Sequence, residues 1–218
     1  MTSSAVHAVL GYVVGRISDL PTVGPRVAID GPDGAGKTHF ADQLAAVLES
    51  RNRPVARVSI DDFHNVRALR YRQGRDSPMG FFEDSYNYDR FRNDVLEPFG
   101  PGGSRQFRRA SYSHATDEIL VPAFETADPA SILIVDGIFL QRAELSANWD
   151  ITVFLDVDFT ETAGRMALRD GTSPDPDHPS MHRYIEGQRE YFRHAHPQQR
   201  ATILIDNNNV HAPRIIRG

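Results

Sequence analysis

The sequence contains no cysteine among its 218 residues. This absence excludes disulfide bonds and thiolate metal sites, and it fits the cytoplasmic location that we expect. No apolar run approaches the roughly 20 residues that a membrane-spanning helix requires, so we expect no membrane segment. The first residues also lack the cationic start, apolar stretch and cleavage site of a signal peptide, and we expect none.

Basic residues are fewer than acidic ones, 24 against 29, and the formal net charge is −5. General nucleic-acid binding favours a basic face, so we expect no nucleic-acid partner. Lysine is nearly absent, because Lys37 is the only one and every other basic residue is arginine. A compact ammonium on a flexible stem holds a phosphate chain as a point charge, which the planar guanidinium does not. The lone lysine therefore indicates a phosphate-binding position.

Lys37 lies in the segment from Gly31 to Thr38, GPDGAGKT, which matches the phosphate-binding pattern G-x-x-x-x-G-K-[ST] in full. Its glycines let backbone N–H groups surround the β- and γ-phosphates, and the hydroxyl of Thr38 ligates Mg²⁺. The helix that follows points its positive end at the anion. We therefore expect a bound nucleoside triphosphate. The predicted cofactor-binding residues of this loop are Gly31, Asp33, Gly34, Ala35, Gly36, Lys37, Thr38 and His39.

Short apolar segments alternate with helical patterns along the chain, which predicts an α/β fold with a parallel sheet covered on both faces. Five strands are expected, at 26–30, 55–60, 131–137, 151–157 and 201–206. Helices are expected at 2–20, 39–48, 88–98, 160–169 and 183–196. The first strand leads into the phosphate loop and its helix, as in a P-loop NTPase fold.

Several predicted strands end in aspartate, and the carboxyl ends of parallel strands are where ligands collect. Phosphoryl transfer needs one carboxylate near the attacking hydroxyl, and we predict Asp61 as this general base. The alternative is that Asp61 caps a helix starting at Asp62. Asp136 follows four apolar residues, as a Walker B carboxylate does, and is predicted to hold Mg²⁺ together with Thr38. The alternative for Asp136 is a turn residue at the strand end.

Arg165 and Arg169 are four residues apart and therefore share one face of a predicted helix. They lead into the proline-rich segment 171–179, which is not expected to form regular structure. We predict a lid that brings both arginines onto the phosphates, the alternative being two solvated surface arginines. None of the nine histidines shows the spacing of a metal site.

Five motifs occur in the order found in the uridine kinase/phosphoribulokinase family, which the chain resembles over most of residues 24–210. They are the phosphate loop, SIDDFH at 59–64, SYSH at 111–114, IVDGIFL at 134–140 and the helix carrying Arg165 and Arg169. The resemblance implies a kinase that uses ATP and Mg²⁺ to phosphorylate a primary hydroxyl of a small metabolite. Together with the length, it predicts one domain over 1–218, with an N-terminal helix in 1–24, an acceptor-recognition region in 64–130 and a lid in 165–182.

The resemblance further implies that Asp61 is the catalytic base and that Lys37 and Arg169 act on the transferred phosphoryl group. The predicted acceptor-binding residues are Asp61, Phe63, His64, Asp84, Tyr86, Tyr112 and His114. The chain departs from the family where acceptors are recognised, because His64 replaces an aromatic residue and the Phe-Asp-His-Pro block of uridine kinases is absent. Residues 81–89 stand in its place, where Asp84 or Asp89 is available to vicinal hydroxyls.

We predict the 5′-hydroxyl of uridine or cytidine as the acceptor, with pantothenate, nicotinamide riboside or a sugar acid as alternatives in the same class. The alternative from another class is a nucleotide-binding protein without catalysis. A GTP-dependent switch is disfavoured, because its Asn-Lys-x-Asp motif cannot form when Lys37 is the only lysine. Members of the family include monomers, dimers and tetramers, so a homo-oligomer is one expectation.

Overall fold

The computed structural model describes residues 3–218, so that the first residue of the helix predicted at 2–20 lies outside the described part. Its strands are β1 (Arg26–Asp30), β2 (Val55–Ser59), β3 (Gln106–Phe107), β4 (Tyr112–Ser113), β5 (Glu118–Ile119), β6 (Glu125–Thr126), β7 (Ile132–Asp136), β8 (Ile151–Asp156), β9 (Ile203–Asp206) and β10 (Arg214–Arg217). The helices are α1 (Ser4–Ser18), α2 (Lys37–Glu49), α3 (Arg67–Arg70), α4 (Pro78–Asp84), α5 (Tyr88–Phe91), α6 (Ala143–Ser146), α7 (Phe159–Asp170), α8 (His182–Ala195) and α9 (Pro197–Arg200).

The central sheet has the strand order β10-β9-β8-β1-β7-β2. The five strands from β2 to β9 in this order are parallel, which confirms the predicted α/β fold and its parallel sheet. β10 is a sixth strand that the sequence did not predict, and it runs antiparallel at the edge beside β9. Parallel pairing places the ends of β1, β2, β7 and β8 at one edge of the sheet, where the predicted site residues lie.

Both faces of the sheet are buried, as the continuous apolar strands predict. In β1, Val27 and Ile29 pack on the side of α1 and α2, whereas Ala28 packs on the opposite side with α4 and α8. The predicted N-terminal helix is present as α1. Its buried residues are those that the sequence places on one apolar side, Val6, Val9, Leu10, Val13, Val14 and Ile17. Ser3 begins this helix, because its Oγ accepts a hydrogen bond from the backbone N of Val6 at 3.3 Å.

The structure differs from the expectation most between residues 64 and 130. The single helix expected at 88–98 is α5 followed by a π-helical turn at Arg92–Leu96. Two short antiparallel ribbons, β3 with β6 and β4 with β5, complete this region. Residues 171–178 contain no regular element, as predicted, and a 3₁₀ turn at Pro179–Met181 precedes α8. In the part of the chain that the structure describes, no helix is both long and apolar enough to span a membrane.

Candidate functional site

The loop between β1 and α2 has the conformation that its glycines permit. Gly31, Gly34 and Gly36 adopt φ values of 151°, 79° and 89°. A Cβ at Gly34 would lie 2.8 Å from the main-chain oxygen of Thr162, so any side chain there would collide with α7. The loop therefore packs its main chain directly against α7. The N–H groups of Gly31, Asp33, Gly34 and Ala35 donate to other atoms of the protein, so the first N–H groups of α2 are the ones that can bind an anion.

Lys37 and Thr38 begin α2 at the bottom of this loop. Lys37 is 9% exposed, and its Nζ donates a hydrogen bond to the carbonyl of Pro32 at 2.8 Å. The hydroxyl of Thr38 donates to Oδ2 of Asp136 at 2.6 Å, at the end of β7. The second oxygen of Asp136 accepts from Nη2 of Arg57 at 2.9 Å. Thr38 and Asp136 are thus in contact, as required of the predicted Mg²⁺ pair.

Arg165 and Arg169 both lie on α7 and line one cavity. Nη2 of Arg165 donates to the carbonyls of Asn207 and Asn208, at 2.9 and 2.6 Å, which fixes the side chain against the loop after β9. Its Nη1 is buried and has no hydrogen-bond partner among residues 3–218. Arg169 is 62% exposed, is paired with Asp170, and approaches Oδ1 of Asp33 to 3.9 Å. These arginines surround a cavity of about 360 Å³ that we call the phosphate cavity.

Asp61 lies just after β2 and is held by three side chains. The hydroxyl of Tyr86 donates to its Oδ1 at 2.6 Å. Nδ1 of His64 and Nε2 of His114 both bond to its main-chain oxygen, at 2.6 and 3.1 Å. A 3₁₀ turn at Ile60–Phe63 follows β2, and Ser59 caps it, because its Oγ accepts a hydrogen bond from the backbone N of Asp61. Asp61 is therefore not the helix cap that the sequence left as an alternative.

A second cavity, of about 220 Å³, lies beside the phosphate cavity, and we call it the acceptor cavity. Asp33, Lys37, Asp61 and Arg169 line both cavities. Burial lowers the pKa of His64 to about 4, so its imidazole is neutral at pH 7. Burial and the neighbouring charge of Asp61 raise the pKa of Tyr86 well above its usual value, so its hydroxyl stays protonated and remains a donor.

Comparison with known proteins places this arrangement in a family. Residues 27–205 match the model of the Phosphoribulokinase / Uridine kinase family. The chain belongs to this family. The resemblance predicted from the motifs is thereby confirmed.

Similar proteins carry several different names. The chain is 31% identical over 181 residues to a pantothenate kinase from Rhodopseudomonas palustris strain BisB18, covering 72% of this chain and 54% of that protein. The chain therefore spans about half the length of the curated relatives it matches. The structure of a possible uridine kinase from Bacillus stearothermophilus superposes with a TM-score of 0.72 at 21% identity, over 91% of this chain and 98% of the other. A D-glycerate 3-kinase from Cryptococcus neoformans superposes with a TM-score of 0.62 at 11% identity, over 98% of both chains. At these identities the structural matches establish the fold alone.

The predicted site residues of this phosphoribulokinase/uridine kinase family member fall into two groups. Asp61, His64, Tyr86 and His114 line the acceptor cavity, whereas Phe63, Asp84 and Tyr112 are not among its lining residues. Phe63 is fully buried and packs edge-on against Phe91. The carboxylate of Asp84 is bound by Arg72 and Gln73, and the hydroxyl of Tyr112 donates to Asp117. Six residues of the loop and the start of α2 line the phosphate cavity: Asp33, Gly34, Gly36, Lys37, Thr38 and His39. Gly31 and Ala35 belong to the loop but do not line this cavity.

Sequence reasoning missed the part of the acceptor cavity that comes from other elements. Its further lining residues are Arg70, Tyr71, Phe81, Ser85, Ile138, Arg183 and Tyr184. Arg183 and Tyr184 lie on α8, which was predicted as a helix but not as a wall of the site. The missed Arg57 lies on β2 and holds Asp136. Arg70, Tyr71, Phe81 and Ser85 lie in the predicted acceptor-recognition region and Ile138 in the motif at 134–140, but none of them was singled out. No local motif marks Arg57, Arg183 or Tyr184, because their positions follow from tertiary packing.

α8 also holds the phosphate loop from behind. Oε1 of Gln188 accepts a hydrogen bond from the backbone N of Asp33 at 2.6 Å, and the hydroxyl of Tyr191 donates to Asp30. Asp30 is fully buried, and its Oδ1 accepts from the N of Gly31 at 2.8 Å. Burial raises the pKa of Asp30 from 3.8 to about 6. A carboxyl group that titrates near neutrality is therefore bonded to the first residue of the phosphate loop.

This titration gives a stability prediction. Between about pH 4 and about pH 6, Asp30 holds a proton in the folded state that it has lost in the unfolded state, so the free energy of unfolding should fall as pH rises. The effect is of the order of 3 kcal/mol. The free energy of unfolding, measured by urea titration across this pH range, should lose this fall in Asp30→Asn. In Asp19→Asn, a substitution at an exposed position, it should fall with pH as in the wild type. Parallel profiles of wild type and Asp30→Asn would contradict the assignment.

Proposed function

We propose that the protein is an ATP-dependent kinase that transfers the γ-phosphoryl group to a primary hydroxyl of a small metabolite. The observation that carries this proposal is the position of Asp61, which lines both the phosphate cavity and the acceptor cavity. A carboxylate at this junction contacts an acceptor hydroxyl on one side and the terminal phosphate on the other. Phosphoryl transfer needs this arrangement more than any covalent contribution from the protein.

The residues of the phosphate cavity fit ATP and Mg²⁺. Gly34, Gly36 and Lys37 line this cavity, and buried Nη1 of Arg165 lacks a partner within residues 3–218. Thr38 and Asp136 would hold Mg²⁺. Mg²⁺ is commonly bound by one or two protein side chains together with substrate phosphates, so a pair of side chains is sufficient. Bound Mg²⁺ supplies neutralisation of phosphate charge.

In the proposed reaction Asp61 orients the acceptor hydroxyl and takes its proton. Tyr86 donates to Oδ1 and so fixes the carboxylate, which leaves Oδ2 for the hydroxyl. His64 and His114 hold the main chain of Asp61 in place. Lys37 and Arg169 lie beside Asp61 on the phosphate side and stabilise the charge that spreads over the transferring group.

The finer assignment, to the 5′-hydroxyl of uridine or cytidine, is supported by the aromatic rings of the acceptor cavity, among them Tyr71, Tyr86 and Tyr184. Such rings stack on a base and also serve aliphatic acceptors. The curated relatives named pantothenate kinase support an acceptor of the second kind. The test therefore includes nucleosides as well as aliphatic acceptors.

The test is acceptor-dependent ADP release by purified protein with Mg·ATP. The panel contains uridine, cytidine, adenosine, pantothenate, nicotinamide riboside and glycerate, and mass spectrometry identifies the phosphorylated product. Turnover with one class supports the kinase and names its acceptor. ATP binding without acceptor-dependent ADP release across the panel would contradict the proposal and favour a nucleotide-binding protein without catalysis.

Arg169 tests the predicted lid. Its guanidinium is exposed and lies within 3.9 Å of Asp33, so it can reach a γ-phosphate without disturbing the fold. We expect Arg169→Ala to lower kcat/KM by about 10-fold to 100-fold while the melting temperature is unchanged. The matched control is Arg189→Ala, an exposed arginine of α8 that is paired with Glu186 and lines neither cavity. Unchanged kcat/KM in Arg169→Ala would show that Arg169 does not contribute to the reaction.

A further inference from the structure

The acceptor cavity is lined by four basic side chains, those of Lys37, Arg70, Arg169 and Arg183, and by two carboxylates, those of Asp33 and Asp61. Arg70 lies at the end of α3, and its side chain is only 15% exposed. The guanidinium lies between the rings of Tyr71 and Tyr112, at 5.6 and 5.5 Å from their centroids. Its Nε is buried and has no hydrogen-bond partner in the described residues. The guanidinium of Arg70 is therefore held in place while one of its hydrogen-bond donors has no acceptor.

The only carboxylate that approaches Arg70 among residues 3–218 is Asp117, at 3.8 Å from Nη2. The same oxygen of Asp117 already accepts from the hydroxyl of Tyr112 at 2.8 Å and from the backbone N of Arg67 at 2.9 Å. Nη2 of Arg70 donates to the hydroxyl of Tyr112 at 2.9 Å instead of forming a close ion pair. The charge of Arg70 is therefore only partly compensated.

A second guanidinium increases the positive field in the cavity. Arg183 is 7% exposed and donates to main-chain carbonyls, among them those of Arg70 at 3.1 Å and Ser77 at 3.0 Å. These bonds hold the main chain of the segment 70–77 in place. Carbonyl groups do not neutralise the positive charge of the guanidinium, and Arg183 forms no ion pair with a carboxylate within the described residues. Arg70 and Arg183 both line this small cavity and are largely shielded from solvent, so an anion that entered it would lower the cost of holding the two charges there.

We propose that the phosphate acceptor carries a carboxylate or similar anionic group, which Arg70 binds, while its hydroxyl faces Asp61. The proposal rests on the kinase function above and narrows its substrate class to small hydroxy acids. Both residues line one cavity of about 220 Å³, so the hydroxyl and the anionic group are separated by a short chain. His64 is neutral and lies beside Asp61, so it adds no competing charge. Arg70 is then a specificity-determining residue that does not touch the reacting atoms.

The test compares acids with neutral analogues of the same skeleton. Glycerate is paired with glycerol, and pantothenate with pantothenol, in which a hydroxymethyl group replaces the carboxylate. Each is titrated calorimetrically into wild-type protein loaded with Mg·ADP, so that binding is measured whether or not turnover occurs. We expect at least one acid to bind about 10-fold to 100-fold more tightly than its neutral partner, as a charge-assisted hydrogen bond provides.

Two variants identify the residue responsible. Arg70→Gln should abolish the preference for the acid and raise its KM about 10-fold to 100-fold, with KM for ATP unchanged. Arg67→Gln is the matched control, because this arginine lies on the same short helix, is exposed and lines neither cavity. It should keep the wild-type preference. Circular dichroism of both variants excludes loss of fold as the cause.

The outcomes separate this inference from the proposed function. Tighter binding of the neutral analogues, absence of binding by either acid, or a preference that survives in Arg70→Gln would overturn the anionic acceptor. Turnover of uridine or cytidine ahead of the acids would also overturn it, while leaving the kinase function intact. Acid binding that depends on Arg70 but gives no phosphorylated product would support anion binding by Arg70 and contradict the kinase function.

Discussion

Asp61→Asn is expected to lower kcat by about 100-fold to 10,000-fold, which is the range that general-base catalysis contributes. Asparagine has the same shape, so it can still accept the hydrogen bond from Tyr86, and the phosphate cavity keeps its form. The affinity for Mg·ATP should therefore stay near the wild-type value. Steady-state ADP release, together with ATP titration followed by calorimetry, measures the two quantities separately.

Asp62→Asn is the matched control for this experiment. Asp62 is the next residue along the chain and is partly buried, but it lines neither cavity. Its substitution should leave kcat close to wild type. If Asp61→Asn retained near-normal turnover, or if both variants lost it equally, Asp61 would not be the base.

Lys37→Ala is expected to reduce kcat/KM by about 100-fold to 1,000-fold, the loss found when one preorganised charge is removed from a transition-state clamp. Lys37 is 9% exposed and lines both cavities, so its ammonium acts in a partly desolvated environment where charge interactions are strong. Because Lys37 makes few other contacts, the loss should appear in ATP affinity and rate rather than in stability. Calorimetry with Mg·ATP and thermal denaturation provide the measurements.

Lys37→Arg separates charge from shape. Arginine keeps the positive charge, but its planar group cannot take the place of the ammonium that donates to the carbonyl of Pro32. We expect most of the activity to be lost in this variant as well. Recovery of wild-type ATP affinity in Lys37→Arg would show that only net charge matters at this position.

The fold was predictable where a local pattern decides the structure. The five parallel strands are continuous apolar runs, and burial on both faces leaves such runs few alternatives. β10 was missed because its residues, Arg214 to Arg217, are exposed and have charged ends, and it forms only by pairing with β9. The π-helical turn at Arg92–Leu96 is likewise set by packing, since Val95 and Leu96 are fully buried there.

The site was predictable on its phosphate side and much less so on its acceptor side. Lys37, Thr38 and Asp136 belong to motifs whose spacing is fixed by the chemistry of phosphate binding. Arg70 and Arg183 are more than 100 residues apart and come together because Arg183 bonds to the main chain of Arg70. Asp84 was predicted for acceptor hydroxyls because it is acidic and close in sequence, yet Arg72 and Gln73 bind it. Assigning these residues required the tertiary contacts of α4 and α8.

The isolation of Lys37 also gives the molecule an unusual chemical property. Apart from the chain's own α-amino group, its ε-amine is the one amine in this sequence that acylating or Schiff-base-forming reagents can modify, and it lies in the phosphate cavity. A lysine-specific protease has a single bond to cut, after a residue that begins α2. Labelling of the ε-amine and cleavage at this bond therefore report on opening and occupancy of the phosphate loop. Immobilisation through the ε-amine, for the same reason, would block the cavity that it is meant to present.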